Sequence, residues 1–314
     1  MSFRVSVVIC TYDPRMDYLE RVLEGLSKQS LPVRQWELVV IDNASTEPLL
    51  EKIDISWHPN SRVIEEPELG LTAARLRGGA ESSGKILIFV DDDNVLDADF
   101  LETAIAIGNQ MPQLGTWGGT SRGVYESPPP AWFKSQEGWI GVRYFESESW
   151  SNDPLHASST PIGAGMAVRR HVFEKYSENL KNDTSRKVLG RAGDSLMSGE
   201  DLDIVYTGCA NGYGKGVFPQ LSLDHLIPPE RTTQPYLEKL IEMMACSRVL
   251  LRNFHSLPHP RSATKGKIGL IRFAYIHLIR NQANAFARAW ERGLIKGEAL
   301  LGKLSTQQKH PSNS

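Results

Sequence analysis

Cysteine is scarce and scattered in this chain. Its 314 residues include three, Cys10, Cys209 and Cys246, with no Cys-x-x-Cys pair among them. That excludes a zinc ribbon and a disulfide framework, and it suits a reducing compartment. Charge of one sign is also lacking: 35 Lys and Arg stand against 37 Asp and Glu, a formal net charge of -2. No overall field draws the protein to nucleic acid, so none is expected as a partner, and an anionic ligand needs a local cluster to hold it. Long hydrophobic runs are missing as well. The first apolar stretch, Val5-Ser-Val-Val-Ile-Cys10, is too short for a signal-peptide core and leads directly into Thr11-Tyr12-Asp13. It reads as a strand of a cytoplasmic protein. No internal repeat, low-complexity tract or Gly-x-Ser-x-Gly elbow occurs. Gly79-Ala-Glu-Ser-Ser-Gly-Lys-Ile86 comes near a P-loop, but Ile86 stands where the metal-binding hydroxyl belongs, and a strand follows it instead of preceding it.

What is present is an α/β pattern. Short β-branched runs alternate with amphipathic stretches: Val5–Cys10, Met16–Gln29, Glu37–Ile41, Leu71–Glu81 and Ile86–Val90. Strands apolar on both faces predict a mostly parallel central sheet flanked by helices. Between Gly115 and Pro161 the periodicity weakens and Trp, Pro and Ser accumulate, as in a long functional loop. Ile162–Val168 reads as a strand, Arg169–Leu180 as a helix and Val217–Leu223 as a strand. Tyr236–Asn253 and Ile268–Arg288 are amphipathic helices, and Ser305–Ser314 looks like a frayed tail.

Three constellations carry chemistry. Each predicted strand ends in polar residues: Thr11-Tyr12-Asp13, Asp42-Asn43, and Asp91-Asp92-Asp93-Asn94. In open α/β sheets such strand ends converge on one crevice. Three consecutive carboxylates repel one another unless a cation sits among them. Hard oxygens spaced Asp-x-Asp suit Mg²⁺ or Mn²⁺, which needs only one or two protein carboxylates when a substrate phosphate completes the shell. The bland alternative is a solvated turn with a helix cap. Gly199-Glu-Asp-Leu-Asp203 could place a general base beside the crevice or simply start a helix. In Asp224-His-Leu-Ile-Pro-Pro-Glu-Arg231, His225 is a candidate metal ligand and Arg231 a candidate phosphate clamp.

In order and spacing, these pieces resemble the family 2 inverting glycosyltransferases, whose domain is the GT-A nucleotide-diphospho-sugar fold. The carrying residues are Val5–Tyr12, Glu37–Ser45, Gly70–Arg75, Phe89–Asn94 and Gly199–Asp201, and the match covers roughly residues 4–231. The resemblance implies that Thr11, Tyr12 and Asp13 line the nucleoside pocket, that Asp42 accepts hydrogen bonds from the base, and that Arg75 sits near the diphosphate. It implies Asp93 as direct metal ligand, Asp91 shared between metal and donor sugar, Asp92 in the same donor cluster, and His225 as a further ligand. Asp201 matches the catalytic base, with Glu200 in support. The implied donor is a nucleotide-diphospho-sugar, a UDP-sugar by preference, and the implied acceptor a glycan or lipid-linked hydroxyl.

The implied organisation is a GT-A catalytic domain over residues 1–232, with a nucleotide-sugar half to about 115 and an acceptor half over 116–232. A C-terminal helical extension covers 233–304 and a flexible tail 305–314. Residues 265–288 are interrupted by Arg272, His277 and Arg280, too polar to span a membrane. They read as a packed helix, or as a peripheral contact with the inner membrane face through the basic edge. A phosphatase that uses Asp-x-Asp as nucleophile would carry it after the first strand, where Thr-Tyr-Asp stands. A nucleotidyltransferase would carry a Gly-rich signature there. A non-catalytic nucleotide-sugar-binding protein of the same fold remains the alternative.

Overall fold

The computed structural model describes residues 3–261 and 282–309. The first part of the chain builds β1 (Val5–Thr11), α1 (Met16–Ser27), β2 (Trp36–Asp42), β3 (Ser61–Glu65), α2 (Leu71–Ala80) and β4 (Ile86–Val90). β1 to β4 pair in parallel in the order β3-β2-β1-β4. There follow β5 (Asn94–Leu96), α3 (Phe100–Gln110), β6 (Leu114–Tyr125), β7 (Ser149–Ser151), β8 (Met166–Arg169), α4 (Arg170–Asn182), α5 (Glu200–Ala210), β9 (Gly214–Ile227), α6 (Gln234–Phe254) and α7 (Gln282–Lys309). The parallel character ends at β4. β8 enters antiparallel between β4 and β6, β6 and β9 pair in parallel, and β5 and β7 lie antiparallel on β9. The sheet is therefore mixed, with its parallel half nearest the N-terminus.

The strands are buried on both faces because each face has its own helices. Along β1, Val5, Val7 and Ile9 point to a core shared with Leu19, Val22 and Leu26 of α1 and with Phe100 and Leu101 of α3. Val8 points the other way, to a core with Ala74 of α2, Phe173 of α4, Ile204 of α5 and Leu250 of α6. A third cluster joins Phe133 and Ile140, from the segment after β6, to Leu237 and Ile241 of α6 and Phe286 of α7.

Several expectations from the sequence change. The weakly periodic stretch after Gly115 begins inside β6, which runs to Tyr125 and is joined over its whole length to β9. Its glycines and polar residues hide the alternation. Ile162–Val168 is not a continuous strand: β8 starts only at Met166. Gly165 has φ +65°, a left-handed turn conformation, and a Cβ there would come within 2.9 Å of the Phe100 ring. The expected tail from Ser305 is helical as far as Lys309, because Leu300, Leu301 and Leu304 of the preceding turns still pack on the core. Residues 310–314, and most of the helix expected over Ile268–Arg288, lie outside the described residues.

Candidate active site

The site follows from strand register. Thr11 pairs with Asp42 and Ile9 with Val90, so β1, β2 and β4 finish at one level. Their polar ends open together into a cleft of about 580 Å³. Asn94 pairs with His225, which lays β9 beside the end of the aspartate run. The entry into α5 closes the far side. The cleft is lined by Thr11, Tyr12, Arg75, Asp91, Asp92, Asp93, Glu200, Asp201, His225 and Arg231. Residues from every constellation singled out in the sequence meet there.

Two expected pocket residues do not line it. Asp42 is buried, and its carboxylate accepts the main-chain N–H of Leu49 at 2.8 Å and of Ser45 at 3.3 Å. It is spent on shaping its own loop. Asp13 accepts the N–H and hydroxyl of Thr46 at 2.7 and 2.9 Å, tying the end of β1 to that loop. The neighbour Asn43 lines the cleft instead. Its side chain donates to the carbonyls of Glu66 and Glu68 and accepts from the N–H of Gly70. That clamps the turn from which α2 presents Arg75.

The three aspartates are held in three different ways. Asp93 accepts from Nη1 of Arg231 at 2.7 Å and lies 3.4 Å from Nε2 of His225. Burial acts to raise its carboxyl, but the charges and hydrogen bonds of His225 and Arg231 outweigh it and hold Asp93 well below the usual carboxylate range. Asp92 accepts the Thr11 hydroxyl; burial, with Asp93 beside it, pushes it up to about 7. Asp91 is raised as well, burial again being the main cause, and its nearest cation is Arg75 at 3.6 Å.

On the far side, Arg75 donates from Nη1 to Oε1 of Glu200 at 3.0 Å and stacks over Phe89. One buried guanidinium thus spans the aspartate run and the start of α5. Burial pushes Glu200 up to about 7, opposed by Arg75 and reinforced by Asp201. Asp201 accepts the N–H of Gly163 at 3.0 Å and of Leu202 at 2.7 Å. Those two contacts fix its carboxylate at the cleft wall. Asp203, in the same acidic run, faces away from the cleft. It is buried against Arg186 and lies 2.6 Å from Nε2 of His255, which locks α5 to the end of α6.

Asp91 and Asp93 offer hard oxygens suited to Mg²⁺ or Mn²⁺, and Asp93 is held in its ionised form. Among the described residues, no group of three or more His, Cys, Asp or Glu forms a cage. One or two carboxylates are what an ion takes from a protein when a substrate phosphate supplies further ligands.

The sequence profile described as "Glycosyl transferase family 2" matches residues 6–177, more than half of the chain. The chain belongs to that family. Among relatives of this glycosyltransferase is the glucosyl-dolichyl phosphate glucuronosyltransferase of Haloferax volcanii, 23% identical over 206 residues, which are 64% of this chain and 62% of the relative. Another is glycosyltransferase AglE of the same organism, 27% identical over 135 residues, or 39% of this chain and 44% of the relative. The matched regions thus span less than two thirds of each. The crystal structure of S. aureus TarS aligns over 91% of this chain and 49% of TarS, with a TM-score of 0.52 at 17% identity. TarS has also been solved over residues 1–349 with UDP-GlcNAc. The shared architecture is the GT-A fold.

Residues that the sequence did not single out also line the cleft, among them Arg143, Arg191, Trp139 and Arg248. No periodicity or motif marks them, because each reaches the cleft through long-range folding of irregular segments or along one face of α6.

Proposed function

We propose that the protein transfers a sugar with inversion from a nucleoside diphosphate, a UDP-sugar by preference, to a hydroxyl of a glycan or lipid-linked acceptor. The observation that carries this reading is the placement of Asp201 across one cleft from Asp91 and Asp93, with Arg75 bridging the two sides. Thr11 and Tyr12 flank the nucleoside, and Arg75 faces the diphosphate. Asp91 and Asp93 would hold Mn²⁺ or Mg²⁺, with His225 adjoining, and Asp92 completes the donor cluster. When bound, that ion neutralises charge developing on the departing diphosphate. Asp201 takes the acceptor hydroxyl proton as the new C–O bond forms on one face of the anomeric carbon and the bond to the diphosphate breaks on the other. Glu200, tied to Arg75, positions the start of α5. Asp42 and Asp13 shape the nucleoside-side loop rather than reading the base.

The relatives support a donor and acceptor of this kind. One is named for transfer to a glucosyl-dolichyl phosphate, and the TarS fold has been solved with UDP-GlcNAc. No described helix is long and apolar enough to cross a membrane. The test is nucleotide release from a panel of nucleotide sugars with Mn²⁺ or Mg²⁺, alongside Asp93→Ala and Asp201→Asn. Metal-dependent release, lost in Asp93→Ala and reduced about 10²-fold or more in Asp201→Asn, supports the reading. Donor binding without turnover, even with crude acceptor extracts, would leave a non-catalytic nucleotide-sugar binder.

A further inference from the structure

Beyond the residues assigned to the donor and its ion, the cleft is also lined by cations that, among the described residues, pair with no carboxylate. Besides Asp201, the cleft is lined by Arg143 from the segment after β6, Leu202 and Tyr206 of α5, and Leu240, Met244 and Arg248 of α6. Arg143 donates from Nη1 to the Thr160 carbonyl at 3.3 Å and lies over the Phe145 ring. Among the described residues, no carboxylate forms an ion pair with Arg143 or Arg248.

Lys215 meets Thr160 as Arg143 does: fully buried, it donates to the His156 carbonyl at 2.6 Å and to the Thr160 hydroxyl. Burial lowers its ammonium to about 8; Arg143 and Arg248 add to the depression, while Cys209 and Asp153 oppose it. Arg252, one turn along α6, is likewise lowered by burial and by Arg248. Arg143 and Arg248 are half-buried cations on the cleft lining, an unfavourable state unless an anion joins them.

We propose that this lining is the acceptor subsite and that it takes a phosphorylated glycan. In this arrangement Arg143 and Arg248 hold the acceptor's phosphate, and Leu202, Leu240 and Met244 cover the apolar face of the sugar whose hydroxyl meets Asp201. The inference rests on the glycosyltransferase reading above and adds the chemical class of the acceptor.

The test is calorimetric titration of the full chain, held in Mn²⁺ and saturating UDP, with glucose 1-phosphate and with glucose as the neutral control. Wild type should bind glucose 1-phosphate and not glucose. Arg248→Gln should weaken that binding about tenfold or more, since a charge-assisted contact is lost, while Arg248→Lys keeps most of it. UDP affinity, titrated separately, should be the same in all three proteins. Equal binding by wild type and Arg248→Gln, or no binding of glucose 1-phosphate by wild type, would overturn the subsite. Absence of UDP binding in a wild type that still binds glucose 1-phosphate through Arg248 would support the anion subsite and overturn the donor assignment instead.

Discussion

Nη1 of Arg231 sits 2.7 Å from Oδ2 of Asp93, so a guanidinium from beyond β9 already neutralises the last aspartate of the run after β4. That contact competes with any divalent ion using the same oxygen. Replacing Arg231 with Gln removes a positive charge from beside the site, and like charges at this range repel appreciably even at an effective dielectric near 20. Mn²⁺ binding to the nucleotide-free protein, followed by the electron paramagnetic signal of free Mn²⁺, should become several-fold tighter in Arg231→Gln. Unchanged or weaker binding would mean that Arg231 and the ion do not share Asp93.

Glu200 gives a pH signature. Its carboxyl is pushed up to about 7 from an ordinary 4.5, chiefly by burial. The sign follows from linkage: between those values the unfolded chain has released this proton and the folded chain still holds it. Stability from this group is therefore full below about 4.5 and is lost as pH rises through 7. Glu200→Gln cannot ionise, so the stability of wild type relative to this variant should fall across that window by an amount on the order of 2–3 kcal/mol. Urea unfolding at a series of pH values measures it, and a flat difference would show that Arg75 keeps Glu200 ionised throughout.

Gly163 is placed where a side chain would interfere with the proposed base. A Cβ there would approach Nη2 of Arg75 at 3.1 Å and the Asp201 carboxylate at 3.3 Å, and the Gly163 N–H is one of two main-chain donors orienting that carboxylate. Misplacing a reacting group by about 1 Å can cost roughly 10²-fold in rate. Gly163→Ala should therefore lower kcat by up to about tenfold, and weaken UDP binding to the extent that Arg75 is displaced. A kcat equal to wild type would separate Gly163 from the chemistry.

Particular residues show what was legible in the sequence. Thr11, Asp91 to Asp93 and Glu200-Asp201 could be found because strand ends in an α/β sheet must converge, and each cluster follows its strand or opens its helix directly. Asp42 and Asp203 show where that logic stops. Both sit in polar runs aimed at the crevice, but local geometry turns Asp42 onto Leu49 and Ser45, and the helical twist turns Asp203 toward Arg186 and His255. Which way a carboxylate faces depends on its turn and on partners far along the chain. The same limit hides Arg248: on a helix that reads only as amphipathic, a cleft-lining cation and a solvent-facing one look alike. Strand β6 carries a weak sequence signal because Gly115, Gly118, Gly119 and Gly123 interrupt its alternation, although its ladder with β9 is continuous apart from two register shifts.

The last prediction concerns the C-terminal helices. On α7, Gly293 and Gly297 lie against α6 so closely that a Cβ on the first would meet the Glu242 carbonyl at 2.0 Å, and one on the second the Cys246 carbonyl at 2.9 Å. The contacts at Gly293 are backbone and Ala245, which cannot swing aside. Gly293→Val must therefore push α7 away from α6 and expose apolar surface around Leu294 and Phe286. The expected loss is about 1–3 kcal/mol, the range for overpacking, with faster proteolysis confined to residues beyond about 260. β1 to β4 and the ends that hold Thr11 and Asp91 make none of these contacts, so UDP binding should persist. Loss of UDP binding together with α7 would show that the C-terminal helices and the nucleotide half unfold as one unit. Unchanged proteolysis would place α7 elsewhere than on α6.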